Sequence, residues 1–203
     1  MNKVSEMFSF KGERDYIHGP DIYSYVTDKL IAFDPEIRSH PLTLLIYKFS
    51  RRQCSFALST ETNSCTRPED ANVEFRFVHK GVGRIGWLIE GQQPINQRYE
   101  YSESNIFENT RFNTRRVELI KIVSNYSTIE VLVSMTKRLH AELFPEVEGR
   151  WIVTRLDVTR FLEDEHKSGL IVELVKNLGS KFTKSEIKSR GLALGFIFFS
   201  LVK

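Results

Sequence analysis

"EVLVSMTKRL", residues Glu130–Leu139, has a counterpart in "DIYSYVTDKL", Asp21–Leu30. Each opens on an acid, carries Thr six residues later and ends in Leu, and the two are offset by 109 positions. The same offset lays "LTLLIYKF" (Leu42–Phe49) on "WIVTRLDV" (Trp151–Val158). It also lays "GRIGWLIEG" (Gly83–Gly91) on "LALGFIFFS" (Leu192–Ser200), so that Gly86 falls on Gly195. Between these, "PEI" (Pro35–Ile37) matches "PEV" (Pro145–Val147), one position out. Four matches in one order, at nearly one spacing, read as a duplication of about 100 residues. The halves run over residues 1–92 and 98–203, with the loop "EGQQPINQR" (Glu90–Arg98) at the junction.

Each half has the same logic. The first opens with a short strand, "MFSF", and a helix follows from about Pro20, where the missing N–H of proline costs nothing. Ile22, Tyr25, Val26, Lys29 and Leu30 build its face. Strand-like runs come next: "LTLLIYKFSR", "CSFALST", "NVEFRFVHK" and "RIGWLIEG", the last two joined by a tight turn at "HKGVG". "NSCTRPEDAN" is a loop. The second half opens with a long polar strand, "NTRRVELIKIV". Ser127 then caps a helix with Glu130 three residues on, the capping-box spacing. Ile129, Leu132, Val133, Thr136, Leu139, His140 and Leu143 continue the face, and Phe144-Pro145 stops it. "RWIVTRLDVTRFL" reads as strand, "GLIVELVKNL" as a short helix, and "KFTKSEIKSRGLALGFIFFSLV" as a hairpin.

Composition fits an ordinary globular chain: 203 residues, 41% hydrophobic, 27% charged, net charge +3. That charge is far from a nucleic-acid-binding tail, so no nucleic-acid partner is expected. The longest apolar run, "GLALGFIFFSLV", has 12 residues, too few to span a bilayer as a helix. No apolar leader follows the first methionine, and Cys54 and Cys65 read as two free thiols, so a cytoplasmic location is expected.

A strand, one long helix and a run of antiparallel strands, twice over, resembles the hot-dog superfamily. The resemblance implies an α+β chain in a tandem, or double, hot-dog arrangement. Each half would be a curved antiparallel sheet wrapped around one central helix. "TIEVLVSMTKRLHAELF" is apolar around most of its circumference, as a helix inside a curled sheet must be. The resemblance further implies chemistry on acyl-CoA or acyl carrier protein thioesters, at a site where the two halves meet. A chain that supplies both halves would be a monomer or a loose homodimer.

Site residues follow from the same resemblance. In the dehydratases a histidine before one helix faces an acid on the other. Here "HGP" supplies His18, the second helix carries Glu130, and Asp21 holds the equivalent place in the first. Neutral imidazole can take the α-proton of a 3-hydroxyacyl thioester, and a carboxyl group in an apolar tunnel can protonate the departing hydroxyl. Backbone N–H groups of the first helical turn could hold the thioester oxygen. Gly19 and Tyr16 are the substrate-binding candidates, Gly19 because it lets backbone approach a ligand. In a thioesterase reading, Glu130 or Asp21 activates water and His18 only binds.

Plainer roles stand beside these. His18 could bond a carbonyl where the helix begins, Glu130 could serve only the cap, and Asp21 could serve the helix dipole. His140 reads as structural. The basic runs "KRLH" and "NTRRVELIK" read as solvated faces or as a dock for an acidic carrier protein. The dehydratase pattern has more Gly and Pro and a second histidine nearby, which this chain lacks. A catalytically silent hot-dog protein, binding an acyl group or a protein partner, is therefore the alternative. No GxxxxGK[ST], HExxH or GxSxG occurs, and no Cys/His set has metal-ligand spacing, so neither cofactor nor metal is expected.

Overall fold

The computed structural model of the chain describes residues 8–59 and 66–202. Cys65 and Met7 lie outside them. The chain divides into two compact units. One holds the residues up to His40 with Leu44–Ser102, and the other holds Pro41–Thr43 with the residues from Glu103 on.

In the first unit, His18 is extended (φ −65°, ψ 136°) and the backbone then turns into helix α1, Gly19–Phe33, with Pro20 in its first turn. Pro20, Ile22, Tyr23, Val26, Thr27 and Leu30 are buried. The helix is thus rotated from the expected face: Tyr23 and Thr27 turn inward, and Lys29 is exposed. The buried Thr27 hydroxyl is satisfied by donating to the carbonyl of Tyr23 at 3.0 Å, which lets a polar residue sit in the core. Asp34 ends α1 and starts a 3₁₀ turn, Pro35–Ser39, by accepting from the Glu36 N–H at 3.0 Å.

Strands β2 (Leu42–Ile46), β3 (Arg52–Leu58), β4 (Ala71–His79) and β5 (Val82–Pro94) line up in the order β3-β5-β4-β2. β5 reaches Pro94, well into the stretch expected to be a loop, because its far end pairs with β3 as far as Arg52. The short strands β1 (Phe10–Lys11) and β6 (Arg98–Tyr99) pair in parallel and bring the start of the unit to its end. Trp87 is buried on β5.

The second unit contains α2 (Ser104–Glu108), β7 (Thr110–Asn113), β8 (Arg116–Leu119), α3 (Thr128–Leu143), β9 (Arg150–Val158), β10 (Leu170–Leu178), β11 (Phe182–Ser189) and β12 (Leu192–Val202). Its strand order is β9-β12-β11-β10-β8-β7. The expected long strand "NTRRVELIKIV" is instead half of a hairpin: β8 ends at Leu119, and Ile120 and Ile122 are exposed beyond it. The helix expected in "GLIVELVKNL" is strand β10. It pairs with β11 on one side and β8 on the other, and Leu170, Val172 and Leu174 alternate inward. Two hydrogen-bonded neighbours outweigh a local pattern that fits either period.

Helix α3 buries ten residues, Ser134, Met135 and Thr136 among them, as the all-round apolar pattern requires. Thr136 donates to the Leu132 carbonyl at 2.8 Å, the bond that Thr27 makes in α1. The β4–β5 turn has Lys80 and Gly81 both left-handed (φ 50° and 74°), and the β11–β12 turn has Arg190 and Gly191 the same (φ 49° and 79°). These are the dihedral signs of a type I′ hairpin. One feature differs. β5 lies between β3 and β4, whereas β12 lies between β9 and β11, so the strands carrying Gly86 and Gly195 have different neighbours.

Candidate functional site

The segment before α1 is pinned from several sides. The Ile17 N–H donates to the Ser50 carbonyl at 2.8 Å, and the Tyr16 ring packs on Phe49 with centroids 4.3 Å apart. Arg51 pairs with Asp15 at 3.3 Å. Tyr16 therefore fixes this segment to the chain around Phe49. His18 follows, 3% exposed, and its ring meets Tyr101 edge to face at 5.2 Å. Lys11 and Arg14 also lie over the Tyr101 ring, at 5.4 and 5.3 Å from its centroid. Arg98 donates to the carbonyls of Gly12 and Arg14, the latter at 2.8 Å, and holds that turn in place. A buried imidazole is thus set against an aromatic ring that two cations cover.

The His18 side chain does not cap the helix, but its carbonyl does. It accepts from the N–H groups of Asp21 at 2.9 Å and Ile22 at 3.2 Å. Pro20 has no N–H. Of the first-turn amides that could hold an oxyanion, that of Gly19 is the one not committed to His18.

Asp21 lies one turn along. Lys11 Nζ is 2.7 Å from its Oδ1, and both side chains are about three-quarters buried. Asp21 lines a pocket of about 280 Å³ whose other walls include Phe8, Ser24, Tyr25, Asp28 and Tyr99. His18 does not line that pocket.

In the second unit, Glu130 closes a capping box. Its Oε2 accepts from the Ser127 N–H and from the Ser127 hydroxyl, each at 2.8 Å. The Thr128 hydroxyl donates to the Glu163 carbonyl at 2.8 Å and ties this helix start to the 3₁₀ turn Asp164–Lys167. His140 is fully buried, with Nε2 2.8 Å from the Thr183 hydroxyl and its ring stacked on Trp151 at 4.2 Å. Burial pushes its pKa down to about 3, so the ring is neutral. Among the described residues no three metal-ligating side chains converge, and no helix is long and apolar enough to cross a membrane.

No family model matches the sequence, and no curated protein sequence matches it. Solved structures do match. A tesB protein of Mycobacterium avium subsp. paratuberculosis superposes with a TM-score of 0.51 at 10% identity, covering 97% of this chain and 91% of that one. A dehydratase domain of a trans-AT polyketide synthase from Brevibacillus brevis gives 0.49 at 10% identity, over 93% of this chain and 86% of that one. A hot-dog protein of unknown function from Alicyclobacillus acidocaldarius gives 0.42 at 8% identity, over 93% and 88%. The fold is a hot-dog fold. At such identity the likeness is one of fold, and the site of this hot-dog chain has to be read from its own residues.

Sequence reasoning named His18, Asp21 and Glu130 as candidates but not the groups around His18 and Asp21. Lys11, Arg14 and Tyr101 come together only because β1 pairs with β6. Nothing in the local pattern of "FKGER" or "RYEYS" signals that pairing, since each contributes only two ladder residues. A signal for Tyr101 was the density of aromatic and basic residues in "QRYEY", beside the expected junction.

Proposed function

We propose that this hot-dog chain processes acyl thioesters of coenzyme A or acyl carrier protein, by a dehydratase-like or thioesterase-like reaction. The observation that carries the reading is His18: a buried imidazole, fixed against Tyr101, at the start of a helix whose first amide is not spent on the cap. In dehydration, His18 takes the α-proton of a 3-hydroxyacyl thioester. The C–H electron pair becomes the new double bond, and the C–O bond breaks. The hydroxyl leaves as water with a proton from a carboxylic acid, and the imidazolium returns its proton to that carboxylate. The Gly19 amide is placed to stabilise charge on the thioester oxygen. Glu130 is the acid in this reading, and Asp21, held by Lys11 at 2.7 Å, is the alternative.

We also read the two units as tandem hot-dog repeats, residues 1–92 and 98–203. The paired threonines and the paired left-handed hairpins support this, while the differing places of β5 and β12 mark divergence within it. Such a chain acts as a monomer or a loose homodimer. Light scattering should give the mass of one chain or two, and an obligate higher assembly would overturn the point.

The commitment of Glu130 Oε2 to its cap favours a second reading, a silent protein that binds an acyl group without turning it over. One experiment separates the two. Turnover of 3-hydroxyacyl- and acyl-pantetheines is measured over a range of chain lengths. The enzyme reading expects turnover by the wild type, and a loss of about a hundredfold or more in His18→Ala and in Glu130→Gln. Absence of turnover on every chain length, together with saturable binding of the same thioesters, would favour the silent reading.

A further inference from the structure

The pocket beside Asp21 does not include His18, and its lining has a consistent character. Asp21, Ser24, Tyr25 and Asp28 follow one another at the spacing of a single helical face on α1. Opposite them stand Phe8, Ser9, Lys11 and Tyr99, brought there by the β1–β6 pair. Phe8 and Tyr25 meet at 4.8 Å and make an aromatic floor, while Tyr99 is 57% exposed at the rim. Two carboxylates face one ammonium, and Lys11 is already matched to Asp21 at 2.7 Å. The net charge of the lining is therefore negative, and it is carried by Asp28.

The protein's own side chains show what this surface accepts. Lys11 places its ammonium 2.7 Å from Asp21 Oδ1 and 5.4 Å from the centroid of Tyr101, a ring just outside the lining. Lys29 places its ammonium 5.4 Å from the centroid of Tyr25. Both are a cation on a flexible apolar stem, held by an aromatic face. An anion would meet Asp28. A neutral alkyl chain would strip water from Asp28 and two serine hydroxyls and give nothing back.

We infer that this pocket binds a small organic cation, a primary ammonium on a short apolar stem. Asp28 takes the charge, and Phe8, Tyr25 and Tyr99 cover the stem. An open site of this size should bind in about the millimolar range.

The test is a titration of the full chain with 1,5-diaminopentane, followed by amide chemical shifts. Saturable shifts are expected along α1 from Asp21 to Asp28 and at Tyr99. Hexanoate and hexan-1-ol, as anionic and neutral probes, should leave those amides in place. Asp28→Asn and Tyr99→Leu change exposed side chains and should each weaken binding about fivefold. Asp28→Glu should restore it. No saturable shift at these residues, equal binding of hexan-1-ol, or an Asp28→Asn variant that binds as the wild type does would overturn the site. Neither variant touches His18, and binding is read without turnover, so this inference stands or falls apart from the thioester reading.

Discussion

His140 is a titratable side chain that its surroundings alter strongly. Its folded pKa is depressed to about 3 from 6.5 by burial. A histidine shifted this way leaves stability intact above about 6.5, and costs stability as the pH falls from there toward 3. Protonation should remove about 3 kcal/mol of unfolding free energy between pH 7 and pH 4. Urea unfolding at the two pH values checks this. His140→Gln should be less stable at pH 7 but lose less on acidification, and an equal loss in both proteins would exclude His140 as the cause. Cys54 is the second such residue. Burial, ahead of the nearby Glu90 charge, raises its thiol to about 11, against the opposing hydrogen bond with Ser50. At pH 8 it is a neutral thiol inside the core. In a Cys65→Ser variant, Cys54 should resist an aromatic disulfide reagent until denaturant is added; prompt labelling of the folded chain would contradict this. Glu130→Gln is informative for a related reason. Glutamine also serves as the third-residue partner of a capping box, so the variant should keep the α3 cap and report on chemistry.

At the scale of elements, the start of α3 and the glycines of two strands carry measurable stability. Ser127→Ala removes the acceptor of the Glu130 N–H and a donor to its carboxylate, and should cost about 1 kcal/mol by thermal or urea unfolding. Gly195 has φ 144°, and a Cβ there would lie 1.9 Å from the Asp157 carbonyl. A Cβ on Gly86 would lie 2.3 Å from the Phe75 ring, which is itself fully buried. The Gly86 Cβ would also meet the Ala57 carbonyl at 2.7 Å, but at Gly195 the backbone contact is closer and φ is positive, so Gly195→Ala should cost about 3 kcal/mol or more and exceed Gly86→Ala. Elements were legible where a local signal was strong. The start of α1, the cap and stop of α3, and the two Xaa-Gly hairpins follow from a few residues each. β10 was misread because Leu170, Ile171, Val172, Leu174 and Val175 suit a helix face as well as a strand, and only the pairing with β8 and β11 decides. The inward turn of Tyr23 and Thr27 in α1 was hidden in the same way, since it depends on a hydroxyl finding a backbone acceptor.

For the whole molecule, the repeat visible at one offset pointed to the right fold, because matched threonines and hairpin turns reflect real local structure. What the offset could not reveal is how each strand finds its neighbours: Gly86 and Gly195 sit at the same offset but on strands differently flanked. The site was legible only in part for the same reason. His18 announces itself by standing before a proline-started helix, whereas Tyr101, Lys11 and Arg14 reach it through a two-residue ladder between distant segments. The chain has two tryptophans, and they fall one to each unit, Trp87 on β5 and Trp151 on β9. That distribution makes each half its own fluorophore. Trp87→Phe leaves emission from the second unit alone, and Trp151→Phe from the first. Since Trp151 is the ring stacked on His140, acid should disturb its emission first, with the Trp87 signal changing at lower pH. Two titration curves of one chain would then time the melting of its two halves separately; superimposable curves would mean that they melt as one.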